Sequence, residues 1–525
     1  MSVPEQAVVG WGTAPDMVRH ARGSRARALG WCLAVVPSLA MAQRPSLVVT
    51  ARPVRDSAGA VAFIDVGWVQ RAPRGDSAWR ITAPVVYAGV PGIADRVRDL
   101  RVRDARGDVP LEVTNDPAAR GGFPYFRHWQ ATRSVMGPVT VTYRALVQPR
   151  GERNGPPFGI ATSGGGVSGA GMGFLVLPED GRPHALRFQW NLRDVPPGSI
   201  GVSSLGDGAF TLTGTPDRLW EGWYLAGPAG RYPRSGMARG FSAAWLGNVP
   251  FDAPAEMAWA AKVYDFLGTA FGTLHPVPRF RVFLRILPAA PCGGGTALEH
   301  SFMLSRCEAT PDSTGRGEGP RETFVHEMVH QWVGQVEAPV GVSSWFSEGL
   351  TTHFTRVLPM RGGFTTIDDF AREVNASARG YYGSVARTWS ADSITAVGFG
   401  SEDIRHVPYH RGALYFADLD ARIRAHSSGT RRLDDLLREL FTRRERGERF
   451  DHAAWIAAVT AELGPGEEAL WRRVILDGEE IVPASDAFGP CLERRDETYQ
   501  VAGRPVLGYR WVRAPDVPEA ACRRW

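Results

Sequence analysis

Thr323-Phe324-Val325-His326-Glu327-Met328-Val329-His330-Gln331-Trp332-Val333 is the stretch on which the reading of this chain turns. Its apolar residues recur at helical spacing, so a helix over 323–333 is expected. On that helix His326 and His330 share one face, about 6 Å apart along the axis. Two imidazoles so placed can converge on a single tetrahedral cation. Glu327 follows the first histidine and points slightly off the metal, where it can serve a water molecule as a base without being a ligand. The plain alternative is a surface helix with two solvated histidines. Phe324, Val325, Met328, Val329 and Trp332 argue instead for burial, and buried histidines need partners.

Trp345-Phe346-Ser347-Glu348-Gly349-Leu350 supplies the third ligand. Glu348 follows His330 by 18 positions, room for the rest of one helix, a turn and a returning helix that faces the first. Two histidines and one glutamate leave the fourth position of one Zn2+ open, the catalytic and not the structural arrangement. Ligating histidines want an acceptor for the second ring N–H, and Thr351 or Thr352 lies one turn past Glu348. His353, His406 and His410 are set aside as ligands, because three protein donors and a water complete the site.

Working outward, the chain has 525 residues, enough for two to four domains. Hydrophobic residues are 44% and charged residues 22%, so a disordered or fibrous chain is excluded. The net charge is only +5, Lys262 is the single lysine, and no basic tract alternates with aromatics, so nucleic acid is not expected as a partner. Residues 1–42 read as a secretory signal, with Met17 an alternative start. Arg19, Arg22, Arg25 and Arg27 precede the apolar run 28–39, and Ala40-Met41-Ala42 places cleavage before Gln43. That run is too short to span a bilayer, and no later one is long enough, so an exported chain is expected, periplasmic or secreted, with no membrane span after processing. Cys292, Cys307, Cys491 and Cys522 remain in the mature chain. Sequence proximity favours Cys292–Cys307 and Cys491–Cys522, which an oxidising compartment permits; four buried thiols are the alternative.

The expected fold class is α+β and multidomain. Residues 43–245 carry β-branched and apolar runs between turn residues (46–55, 61–69, 79–87, 139–147, 173–177, 209–213), the signature of a β-sandwich or saddle-like domain. Residues 164–173, GGGVSGAGMG, read as a flexible loop. Residues 246–450 alternate one strand, 279–287, with helices at 253–271, 323–333, 344–357, 366–376, 409–426 and 433–444, and form a mixed catalytic domain. Residues 451–525 form a C-terminal helical extension with an irregular tail from 477.

HEMVHQWVG followed by WFSEGL resembles the catalytic and third-ligand helices of the gluzincin aminopeptidases, in particular the aminopeptidase N family. Gly293-Gly294-Gly295-Thr296-Ala297-Leu298-Glu299-His300-Ser301 and Val407-Pro408-Tyr409-His410-Arg411-Gly412-Ala413 are similar to segments of the glycyl aminopeptidase family, with Arg411 where that family usually has Lys. The resemblance covers residues 45–450 loosely and 293–437 by motif. It implies a thermolysin-like catalytic domain and a zinc-dependent aminopeptidase acting on peptides with a free N-terminus. It also implies roles: Glu327 as general base, Tyr409 as donor to the oxyanion, Glu299 as acceptor for the substrate α-ammonium, and the backbone of Gly294 and Gly295 as a close approach for an extended substrate. Read without it, Tyr409 is a packed aromatic at a helix start and Glu299 a surface strand-end glutamate. Two rival functions stand beside this one: a thermolysin-type endopeptidase, and a catalytically silent peptide-binding protein on the same fold.

Overall fold

The computed structural model describes residues 46–71, 79–151, 156–237, 240–272, 277–289, 292, 294–309, 318–339 and 341–525. The secretory signal expected at 1–42, and Gly293, lie outside them.

The N-terminal part is built of three sheets. A seven-stranded sheet centred on Ser46–Arg55 and Val61–Gln70 pairs Ser46–Arg55 parallel with His184–Trp190 and antiparallel with Val61–Gln70. Its inward residues Leu47, Val49, Ile64, Val66 and Trp68 meet Ile81, Ala83 and Trp129 of a four-stranded sheet in one apolar core. The alternation of buried and half-exposed residues along Ser46–Arg55 is the period-2 pattern of a strand with one face in a core.

The third sheet, five-stranded, overturns the reading of 164–173 as a flexible loop. Gly166–Ala170 is a fully buried strand between Trp223–Gly227 and Ala161–Ser163. Its glycines are there for space: a Cβ at Gly169 would come within 2.8 Å of Ile160, and one at Gly166 within 2.5 Å of the Ala226 carbonyl oxygen. A glycine-rich run therefore marks tight backbone packing here, not freedom.

The sheet that carries the site runs Gly230–Tyr232, Phe241–Leu246, Phe280–Leu287, Ser301–Cys307 and Gly295–Leu298, in spatial order, with the last strand at the edge. The central strands are parallel and apolar, while the edge strand pairs antiparallel with Ser301–Cys307. Helices cover this sheet. Ala253–Ala270 starts where the Asp252 carboxylate accepts from the Ala255 N–H at 3.1 Å. Arg321–Val329, Ser344–Arg361, Ile367–Tyr382 and Val407–His426 follow, and all contribute to one core with the sheet. The last three of these extend beyond the boundaries expected from sequence, and Arg321–Val329 continues through His330 as a tighter turn.

The tail is not irregular. Leu492–Val501 and Arg504–Arg513 form a two-stranded ribbon, followed by the helix Glu519–Arg524. The ribbon turns at Ala502 and Gly503, both with positive φ. Its exposed residues are mostly charged or polar, Leu507 and Pro505 apart, and the usual Asn-Gly turn signal is absent, so its sequence does not announce a hairpin. Both disulfides join the expected partners, Cys292–Cys307 with Cα atoms 5.4 Å apart and Cys491–Cys522 at 5.5 Å. Among the described residues no helix is long and apolar enough to cross a membrane.

Candidate metal centre

Two helices bring the donors together. His326 and His330 project from one face of Arg321–Val329 and the turn that continues it, their ring centroids 4.9 Å apart. Glu348 sits in the second turn of Ser344–Arg361 and points back between them. Its Oε2 lies 3.2 Å from His326 Nε2 and 3.3 Å from His330 Nε2. One donor atom from each of the three lies within 4.8 Å of the others, a group that can hold a metal ion. Burial alone would raise the Glu348 carboxyl, but the imidazoles of His330 and His326 hold it well below the carboxylate range. Two nitrogens and one oxygen on a common focus fit a tetrahedral zinc with one place to spare.

Thr351 Oγ1 is 3.3 Å from His330 Nδ1, so of the two threonines considered it is Thr351 that orients this ring. His353 is buried with Nδ1 unpartnered among the described residues and stands outside the donor group. His410 turns toward Ser377, 3.4 Å away, and His406 packs edge-on against Tyr409; neither joins the group.

Glu327 is 5% exposed and lies against the edge strand. It accepts from the backbone N–H of Ala297, and a Cβ on Gly295 would stand 2.6 Å from its Oε1. Only glycine lets the strand lie this close to that carboxylate. Burial pushes the Glu327 carboxyl up, against the opposing pull of His326 and His330. Gly294 precedes with φ +87°, and its carbonyl accepts from Ser305 N–H at 3.0 Å, which fixes where the strand begins.

Tyr409 stands in the first turn of Val407–His426, its ring parallel to that of His326 at 6.0 Å. Arg405, one turn earlier, donates to the Tyr409 hydroxyl at 2.9 Å. Burial, reinforced by the nearby Glu348, raises the Tyr409 hydroxyl above its ordinary range, so it stays protonated and able to donate. Arg405 carried no signal in the sequence, because its role depends on a helix turn that only the fold sets. Arg411 is remote from the donors: its guanidinium donates to the carbonyls of Arg387 and Trp389, each at 2.8 Å, and holds that loop to the helix.

Glu299 ends the edge strand. The next residue, His300, donates its N–H to Gln331 Oε1 at 3.1 Å, so the strand runs alongside the histidine helix from Glu327 to Gln331. Glu299 Oε2 accepts from Arg218 Nη2 at 2.7 Å, and Arg218 Nη1 donates to Glu221 at 2.6 Å. Arg218 and Glu221 come from the short helix Pro216–Leu219 and the turn after it in the N-terminal part, some eighty positions away, and no sequence pattern links them to Glu299.

No protein-family model and no curated protein matches the sequence. Solved structures do. An aminopeptidase N family protein from Idiomarina loihiensis superposes with a TM-score of 0.66 at 16% identity, covering 86% of this chain and 79% of that one. An M1 zinc metallopeptidase from Deinococcus radiodurans gives a TM-score of 0.51 at 16% identity over 84% of this chain and 94% of that one. A mutant of an M1 zinc metallopeptidase from the same organism, bound to a Tyr-Ser-Ala substrate, gives 0.50 at 17% over 84% and 95%. The α+β multidomain architecture of this chain is that of the aminopeptidase N type.

Proposed function

We propose that this chain is an exported zinc aminopeptidase that removes residues from the free N-terminus of peptides. The observation that carries the reading is the convergence of His326, His330 and Glu348 beside a buried Glu327 and a protonated Tyr409. His326, His330 and Glu348 would hold one Zn2+, which supplies Lewis-acid polarisation of the scissile carbonyl and lowers the pKa of water toward neutrality. Glu327, raised by burial, takes the proton from the attacking water and passes it to the leaving amine. The Tyr409 hydroxyl, held by Arg405, donates to the oxygen that gains charge as the carbonyl is attacked. With the Ala297 N–H given to Glu327, the edge strand offers its remaining outer backbone groups to an extended peptide, as an added strand would use them. Glu299 at its end accepts from the α-ammonium by charge-assisted hydrogen bonds and so measures one residue from the terminus.

The fold shared with zinc aminopeptidases supports this reading, as does the peptide substrate held by one of the Deinococcus structures. The two disulfides agree with export into an oxidising compartment. The deciding experiment combines metal analysis of the purified protein with hydrolysis of alanyl-arylamide, with and without chelator, and of its N-acetylated form. One zinc per chain and chelator-sensitive cleavage of the free-amine substrate alone are expected. Equal cleavage of the acetylated substrate would establish an endopeptidase instead, and absence of any cleavage a binding protein.

A further inference from the structure

The acidic end of the edge strand is not open. The Arg218 guanidinium forks between Glu221 and Glu299, 2.6 and 2.7 Å from their oxygens, and ties the N-terminal sheets to the strand beside the histidine helix. The three side chains are 34, 39 and 33% exposed, so the group lines a solvent-reachable wall and is not sealed inside one. Each carboxylate gives one oxygen to Arg218, and Glu299 Oε1 has His300 Nε2 at 3.8 Å.

Resting on the reading of Glu299 as the α-ammonium acceptor, we propose that Arg218 determines specificity: it excludes peptides whose first side chain is cationic and leaves neutral and acidic first residues acceptable. Within the fork two carboxylates and one guanidinium sum to a single negative charge, which one ammonium neutralises; the exposed Asp217 adds a carboxylate near Glu221. An ammonium bonded to Glu299 at about 2.8 Å lies within roughly 5 Å of the guanidinium that shares that carboxylate. The first side chain branches from the carbon that bears this ammonium, so a lysine or arginine side chain turned toward this wall brings a second cation up to Arg218. Glu221, the other acceptor on this wall, already receives Arg218 Nη1 at 2.6 Å, so a second cation would have to share it with the guanidinium. At such separations and partial exposure, like-charge repulsion corresponds to tenfold or more in binding, and salt screens it. A neutral side chain leaves the fork untouched, and an acidic one finds a guanidinium donor within reach.

The test compares kcat/KM for alanyl-, glutamyl-, lysyl- and arginyl-arylamides on the zinc-loaded enzyme, at low and high salt, for the wild type and for Arg218→Gln, Arg218→Lys and Glu299→Gln. The wild type is expected to favour alanyl over lysyl and arginyl substrates at least tenfold, less so in high salt. Arg218→Gln should raise the two basic substrates at least tenfold relative to alanyl through KM, while Arg218→Lys, which restores the charge, keeps the discrimination. Wild type that hydrolyses lysyl- and alanyl-arylamide equally, or an Arg218→Gln ratio equal to wild type, overturns the proposal. Failure of the underlying reading looks different: Glu299→Gln would then hydrolyse all four substrates as the wild type does.

Discussion

Glu327 and His330 are three positions apart on one helix, yet their environments assign them different work. His330 has Thr351 behind it and Glu348 before it, the surroundings of a ligand. Glu327 has a backbone N–H from Ala297 and sits buried, and burial pushes its carboxyl up, the surroundings expected of a base. Glu327→Gln should therefore retain its zinc in metal analysis while kcat on alanyl-arylamide falls by about 10²–10⁴. Unchanged turnover removes Glu327 from the reaction. His353 makes a second prediction at this scale. Burial pushes it down to about 4, so the fold holds it neutral while the unfolded chain takes up its proton near 6.5. A group with a depressed folded pKa of this kind binds more protons when unfolded. Its contribution to stability is full above pH 6.5 and is lost as the pH falls toward 4. At pH 5 the loss from His353 is about 2 kcal/mol. Thermal melts at pH 7 and pH 5 should show it, and His353→Gln should flatten the difference; an equal slope in both proteins rejects the assignment.

Among the elements, the helix bearing Glu348 and the helix bearing Tyr409 cross at two glycines. A Cβ on Gly412 would stand 2.2 Å from the Trp345 carbonyl oxygen, and one on Gly349 would stand 2.5 Å from the Cα of Gly412. The contact is backbone on backbone, so no side chain can yield. Glu348 precedes Gly349 by one residue, and Tyr409 precedes Gly412 by less than a turn, so the crossing sets how far apart Glu348 and Tyr409 stand. Gly412→Ala should force the helices apart, cost about 1–3 kcal/mol in a denaturant titration, and lower kcat more than a surface substitution of equal stability cost. Full activity with reduced stability would separate the crossing from the geometry of the site. Trp345 anchors the same crossing from the other side, stacked on Phe416 at 5.8 Å.

At the scale of the whole molecule, the candidate donor group sits on two helices of the sheet-and-helix body, and Arg218 of the N-terminal part reaches the end of that body's edge strand at Glu299. The C-terminal ribbon packs on the helix Ile367–Tyr382, where Asn375 accepts from and donates to Trp511, at 2.8 and 2.7 Å. The Cys491–Cys522 bridge closes a separation of 31 residues around this ribbon. Replacing both cysteines by serine should lower stability by about 3–4 kcal/mol through the entropy of the unfolded chain. The effect should appear in a denaturant midpoint and leave KM for alanyl-arylamide unchanged. A raised KM would connect the ribbon to the substrate site.

The grouping of the three candidate donors was legible in the amino-acid order because it is largely local: a helix places residues four apart on one face whatever surrounds it, so His326 and His330 declared their shared face, and the WFSEGL segment carried Glu348, which the fold brings to them. The strands of 46–70 and the helix of 253–270 were equally readable from their periods. What the order of residues left open was set by chain segments that meet only in space. Glycines at 166–170 read as looseness until Ile160 and Ala226 are seen filling the room a Cβ would need. The ribbon of 492–513 hid behind charged residues, because one of its faces is solvated. Arg405 and the Arg218 fork depend on contacts across a helix turn or across eighty positions, and such contacts have no period for a sequence to display.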